Sequence, residues 1–295
     1  METVLPTVIV NNSSFENCYE DINTLGANLL VQDIISRRAV GSIRVRQANS
    51  SQNAFYCQIV NSQILDFKVR GIQLDLWKSV FLDISNNELS DRVDPLGPPR
   101  FGIIVRRSGS SPELINLSRG RVFNNDITMY AGLIGISFGI MLEDLSYLTV
   151  EQNTIQGVGA PSPISAFYGI RANQPCNGIR VLYNNFIGSG LGYTFACGIR
   201  WQESPNAIFQ CNNVDNINTG IAFFGNCDNT HFYQNDFNNH DIGLALGHPQ
   251  VSEPFNIMGN QINKENRWYG SSSNIEAYAK NLTSALTSVF EINSS

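Results

Sequence analysis

One column of residues constrains this chain more than anything else in it. An asparagine followed two positions later by an apolar side chain recurs at Asn87/Leu89, Asn125/Ile127, Asn153/Ile155, Asn184/Phe186, Asn212/Val214, Asn235/Phe237 and Asn260/Ile262, with Ser62/Ile64 as a variant. Three residues before each polar position stands another hydrophobe: Ile59, Ile84, Val122, Val150, Val181, Phe209, Phe232 and Ile257. A second column follows each time: glycine, an aliphatic residue, a variable one, then usually a large apolar one. It reads Gly71-Ile72-Gln73-Leu74, Gly102-Ile103-Ile104-Val105, Gly135-Ile136-Ser137-Phe138, Gly169-Ile170-Arg171-Ala172, Gly198-Ile199-Arg200-Trp201, Gly220-Ile221-Ala222-Phe223 and Gly243-Leu244-Ala245-Leu246.

Both columns alternate with period two over short runs, which is the strand signature. The tightest spacing is 23 residues, from Asn212 to Asn235. A unit that short cannot bury an apolar face alone, so it must stack on its own copies. The expected fold is all-β: a single-stranded right-handed parallel β-helix of about nine coils, a rod on the order of 40 Å long at the strand spacing of stacked sheets. Asn tolerates the left-handed backbone of a sharp corner, and its amide can bond its copies above and below. Glycine is expected at the opposite corner for the same backbone reason. The solenoid is expected over residues 1–263 and a C-terminal capping segment over 264–295. Residues 274–289 also fit an amphipathic helix, with Ile275, Tyr278, Leu282, Leu286 and Val289 on one side.

The stretch Asn212-Asn213-Val214-Asp215-Asn216-Ile217-Asn218-Thr219-Gly220-Ile221 resembles the generic repeat of right-handed β-helix, pectate-lyase-like proteins. That repeat occurs in pectate lyases, polygalacturonases, epimerases, phage tailspikes and bacterial surface proteins. The tail, Asn266-Arg267-Trp268-Tyr269-Gly270 followed by Ser288-Val289-Phe290-Glu291-Ile292, resembles the segment closing such repeats in large secreted or cell-surface proteins of Bacteroidetes-type bacteria. These resemblances imply a secreted or cell-surface setting, with further domains of a longer parent chain. The start, Met1-Glu2-Thr3-Val4-Leu5-Pro6, lacks the basic and apolar regions of a signal peptide.

Charged residues make up 15% of the chain and the net charge is −6. A nucleic-acid partner would need a basic stripe, so none is expected. No apolar run is long enough for membrane insertion. The six cysteines lack metal-type spacing and read as small buried hydrophobes. The histidines His231, His240 and His248 read as surface residues, forming no triad or zinc pattern.

Candidate site residues follow from where the coils lengthen. Loops between Leu89 and Gly102, Ile155 and Gly169, and Phe186 and Gly198 should form a ridge beside the outward face of the glycine strands, expected to read Arg44, Gln73, Ile104, Ser137, Arg171, Arg200, Ala222, Ala245. Function in solenoids concentrates on such loops and the adjoining face. Arg171 and Arg200 occupy equivalent places on adjacent coils, about 5 Å apart, within reach of one anionic group. With Tyr168, Tyr193, Gln73, Asp91 and Asp94 they form the expected ligand-binding set, and the expected partner is a polysaccharide or surface glycan.

Catalytic residues are not found. The Asn-Thr-Asp, Asp-Asp, Gly-His-Gly and Arg-Ile-Lys motifs of polygalacturonases are absent, as is the Asp-Pro-His-Glu motif of alginate epimerases. Hydrolysis needs a carboxylate pair and calcium-dependent elimination an acidic cluster with a base. Only Glu143-Asp144 pairs acids within a loop-like stretch, so Ca2+ has one weak candidate and no cofactor is otherwise implied. The sequence favours a non-catalytic module, an adhesin, stalk or filament element, over two alternatives. These are a polysaccharide lyase or glycoside hydrolase acting on an acidic polysaccharide, and a phage tail-fibre or tailspike component.

Overall fold

The computed structural model describes residues 5–47, 55–78, 80–92, 98–108, 114–130, 135–159, 165–173, 175–190, 196–247, 256–258, 265–269 and 275–279. The chain winds through three strand positions per turn, and each strand pairs in parallel with its copy one turn on. The first face is a nine-stranded sheet running from Thr7–Asn11 to His231–Tyr233. The second face begins at Ser14–Glu16 and the third at Glu20–Leu25. In two coils the second and third faces are one continuous strand, Asn213–Asn226 and Asp236–Leu246.

Alternation decides what is buried. Ile59, Ile84, Val122, Val150, Val181, Phe209 and Phe232 stack on the inside of the first face. All are fully buried, as are Ile72, Ile103, Ile140, Ile170, Ile199 and Ile221 on the inside of the third face. The core is largely aliphatic towards the N-terminal coils. Towards the C-terminal coils it becomes a run of aromatic contacts from Trp201 through Phe209, Phe223, Phe232 and Phe237 to Trp268. Aromatic pairs contribute beyond their buried area.

The asparagine column is a buried hydrogen-bonded ladder. Each Oδ1 accepts the backbone N–H and the Nδ2 of the rung before it. Asn125 Nδ2 donates to Asn153 Oδ1 at 2.9 Å, Asn153 Nδ2 to Asn184 Oδ1 at 2.9 Å, and Asn184 Nδ2 to Asn212 Oδ1 at 3.1 Å. Each Nδ2 also donates to a carbonyl of the preceding coil, as Asn153 does to Val122. The left-handed backbone belongs to the residue before the rung, not to the rung itself. Asn61, Asn86, Asn124, Gln152, Tyr183, Cys211 and Gln234 all have φ between 50° and 57°. The corner therefore tolerates several residue types, while the rung itself is held to asparagine by its amide.

Four expectations are corrected. The rung after Asn235 is Asn266, whose Oδ1 accepts from Asn235 Nδ2 at 2.9 Å. Asn260 lies outside the described residues, and Asn256–Ile257 instead pair with Gly225–Asn226 beyond the third face. The glycine column takes Gly139 in place of Gly135, because Ile103 pairs with Ile140 and Val105 with Leu142. That column is not a left-handed corner. Its glycines allow close approach: a Cβ on Gly102 would stand 2.6 Å from the Gly139 carbonyl oxygen and 2.8 Å from Ile127 Cγ2. Finally, Ile275–Ala279 is a strand on Ile242–Leu246, and Arg267–Tyr269 a strand on Asp236–Asn238, so the coils continue past residue 263 and 275–279 are not helical.

The thiols of Cys57, Cys176, Cys197 and Cys227 are free and buried, and burial pushes each up to about 12. His240 is buried rather than on the surface, packed edge-on against Phe237. His231 is exposed, as its outward strand position requires, and His248 lies outside the described residues.

Candidate ligand-binding face

The outside of the third face is a grid of three rows, set by the parallel register. One row reads Arg70, Phe101, Phe138, Tyr168, Cys197, Thr219 and Ile242. The middle row reads Arg44, Gln73, Ile104, Met141, Arg171, Arg200, Ala222 and Ala245. Met141 stands where Ser137 was expected, through the Gly135-to-Gly139 change. Arg46, Asp75, Arg106 and Glu143 begin the third row.

This face is not the open surface its sequence suggests. Gln73, Ile104, Ala222 and Ala245 are buried. A second apolar cluster, outside the coil interior, joins Phe138, Ala166, Tyr168, Cys197, Ala222, Phe224 and Ala245. Arg44, Met141, Arg171 and Arg200 remain half-buried, in contact with solvent.

Arg171 and Arg200 are brought together as expected, paired in register on adjacent strands. Aromatic rings set their positions. The Arg171 guanidinium lies 5.3 Å from the Phe138 ring centre and 5.6 Å from that of Tyr168. That of Arg200 lies 4.4 Å from Phe224 and 5.9 Å from Tyr168. Phe101, Phe138 and Tyr168 stack in turn at 4.9 and 5.4 Å. Arg171 also donates to Asn173 Oδ1. Among the described residues neither guanidinium has a carboxylate partner, and the Nε of each is buried without an acceptor. Burial and the neighbouring Arg200 charge hold Arg171 below the usual arginine range, against the opposing influence of Tyr168 and Glu143. A bound anion would offset both causes by favouring the charged guanidinium.

The other expected residues are placed differently. Gln73 donates to both oxygens of Asp75 at 2.9 Å and is buried. Asp91 is fully buried, 3.1 Å from the equally buried Arg100, so it is not a ligand-facing ridge carboxylate. Burial pushes Asp91 up to about 7, although Arg100 and the Tyr130 amide pull the other way. Tyr193 and Asp94 lie outside the described residues. Tyr168 is present, but as an almost covered ring beneath the two arginines.

Sequence reasoning missed Phe138 and Phe224, the rings that hold the two arginines. An aromatic residue directly before the column glycine, as in Phe101-Gly102, Phe138-Gly139 and Tyr168-Gly169, is the signal that marks the first of them. Phe224 has no such signal, since it follows the inward Phe223 and simply continues an apolar run. Among the described residues, no three His, Cys, Asp or Glu side chains gather as a metal cage requires.

The family model for the right-handed beta helix region matches residues 49–237, more than half of the chain. No curated protein matches the sequence. Among solved structures, an alginate lyase from Paenibacillus sp. str. FPU-7 is similar at 11% identity and a TM-score of 0.26, over 88% of this chain and 92% of that one.

Proposed function

From the premise that this chain belongs to the right-handed β-helix family, we propose that it is a non-catalytic, secreted or cell-surface module that binds an acidic glycan on its third face. One observation supports this reading above the others. Two guanidiniums stand side by side, half-buried among aromatic rings, and neither is ion-paired with a carboxylate among the described residues. Two like charges held together in a partly dry setting repel one another. A carboxylate or sulfate on a sugar would bridge both by charge-assisted hydrogen bonds. A fold hosts many functions, so the site and not the family carries the proposal.

The test is electrophoresis of the native protein through gels containing polygalacturonate or alginate, with the same polymers assayed for new reducing ends and unsaturated products. Retardation that Arg171→Gln/Arg200→Gln abolishes, without product release, is the expected result. Product release would replace this reading with a lyase or hydrolase. Unretarded migration in both polymers would remove acidic glycans from consideration.

A further inference from the structure

Two coils towards the N-terminus, the same face holds a second set of arginines around a cleft. The cleft has a volume of about 220 Å³ and is lined by Arg44, Arg70, Gln73, Phe101, Ile104, Arg106 and Met141, with Val69 at its side. Its floor is apolar and its rim is cationic. Phe101 and Ile104 come from one strand and Met141 from the next coil, and Arg44, Arg70 and Arg106 stand around them. We infer that this cleft is a second subsite for the same acidic glycan, holding one anionic sugar unit, and that the ligand is therefore an oligomer and not a single sugar. This rests on the glycan-binding reading of Arg171 and Arg200.

Among the described residues the charges lining the cleft do not balance. Arg44 bonds Asp75 at 3.3 Å and lies 3.9 Å from Glu20. Arg106 bonds Asp75 at 2.6 Å, and Arg70 bonds Glu20. The three lining arginines thus share two carboxylates. Asp75 is pushed up by burial, but Gln73 and Arg106 more than offset this and hold it ionised below its usual range. The Nε of Arg70 is buried and has no acceptor. One positive charge is left over beside an apolar floor, the pairing that suits a sugar ring carrying a carboxylate or sulfate.

The cleft adjoins the first subsite along the middle row. Met141 lines it and pairs in register with Arg171. From Gln73 to Arg171 the register passes through Ile104 and Met141, three strand spacings, or about 14 Å. A single sugar cannot touch both sets of arginines, whereas a short oligosaccharide lying along the helix axis can. Occupying both converts the second contact into an intramolecular one, so affinity should rise with chain length.

The experiment is calorimetric titration of the whole chain with α-1,4-linked oligogalacturonates of two and six residues. The hexamer is expected to bind at least tenfold more tightly than the dimer, above the few-fold gain that extra binding frames alone provide. Arg70→Gln and, independently, Arg106→Gln should bring the hexamer to near the dimer's affinity while leaving the dimer unchanged. β-sheet circular dichroism checks that each variant is folded. Arg171→Gln/Arg200→Gln should abolish binding at both lengths. Equal binding of dimer and hexamer by the parent chain, or full hexamer affinity in folded Arg70→Gln and Arg106→Gln, would overturn the second subsite and leave the first standing. No binding at either length would overturn both.

Discussion

The asparagine column and the middle row of the third face run the same length of the same rod, yet they are built on opposite rules. In the column one side chain recurs from Asn87 through Asn235 to Asn266, and each copy bonds the next. In the row only Arg171 with Arg200 and Ala222 with Ala245 repeat on neighbouring coils, and the arginine pair repels instead of bonding. The two columns fixed by stacking, asparagine and glycine, make the coils close. The row free of that demand is where chemistry differs from coil to coil. Within the row the contrast sharpens again: Arg44 is ion-paired with Asp75 and Glu20, which it shares with Arg106 and Arg70, whereas Arg171 and Arg200 have no carboxylate partner among the described residues.

If this contrast holds, the largest loss of stability comes from breaking a rung. Asn153→Ala removes the acceptor of the Asn125 backbone N–H and of one of its two Nδ2 protons. At roughly 1–3 kcal/mol per buried orphan, the expected cost is about 4 kcal/mol in urea denaturation. A loss under about 1 kcal/mol would mean that the ladder is not what closes the coils.

Arg100→Met tests whether repetition or burial is what matters, because Arg100 and Asp91 belong to a single coil. Removing the partner of a buried carboxylate should cost about 3 kcal/mol. The pair also gives a pH signature. Asp91 is raised from its ordinary range to about 7, so the folded chain holds the proton more tightly than the unfolded chain. Its contribution is fully present at acid pH and is lost as pH rises from about 4 to about 7. Asp91→Asn should flatten that part of the stability profile, measured as urea midpoints at pH 5 and pH 8.

A smaller effect is expected in the glycine column. The Cβ of Gly169→Ala would stand 2.5 Å from the Gly198 carbonyl oxygen and from Phe186 Cδ1. Neither neighbour is a flexible tip, so overpacking should cost about 1–3 kcal/mol. Smallest of all is Arg171→Gln/Arg200→Gln. Loss of the cation–ring contacts and relief of the mutual repulsion oppose one another, leaving stability within about 1 kcal/mol of the parent.

Much of this architecture was legible in the sequence because stacking demands repetition, and repetition can be read without knowing the fold. The rungs from Asn87 to Asn235 and the Arg171–Arg200 pairing fall out directly. Failures came where a local pattern fitted twice. Gly135-Ile136 and Gly139-Ile140 both satisfy the glycine motif four residues apart, and only the pairing of Phe101 with Phe138 decides between them. Asn260 satisfies the asparagine motif with Ile257 and Ile262. Asn266 does not, since Asn263 stands where the apolar residue should be, yet Asn266 holds the rung. The Asp91–Arg100 burial and the covering of Gln73 and Ala222 were not legible. They depend on what lies over the outside of the coil, which repetition along it does not encode.

The most direct test of the separation between scaffold and site is urea denaturation with and without saturating hexagalacturonate, for the parent chain and for Arg171→Gln/Arg200→Gln. A ligand that binds only the folded state raises the midpoint. The account predicts a raised midpoint for the parent, none for the variant, and equal midpoints for both without ligand. A variant still stabilised by the ligand, or one whose unliganded midpoint collapses as a broken rung's would, contradicts it.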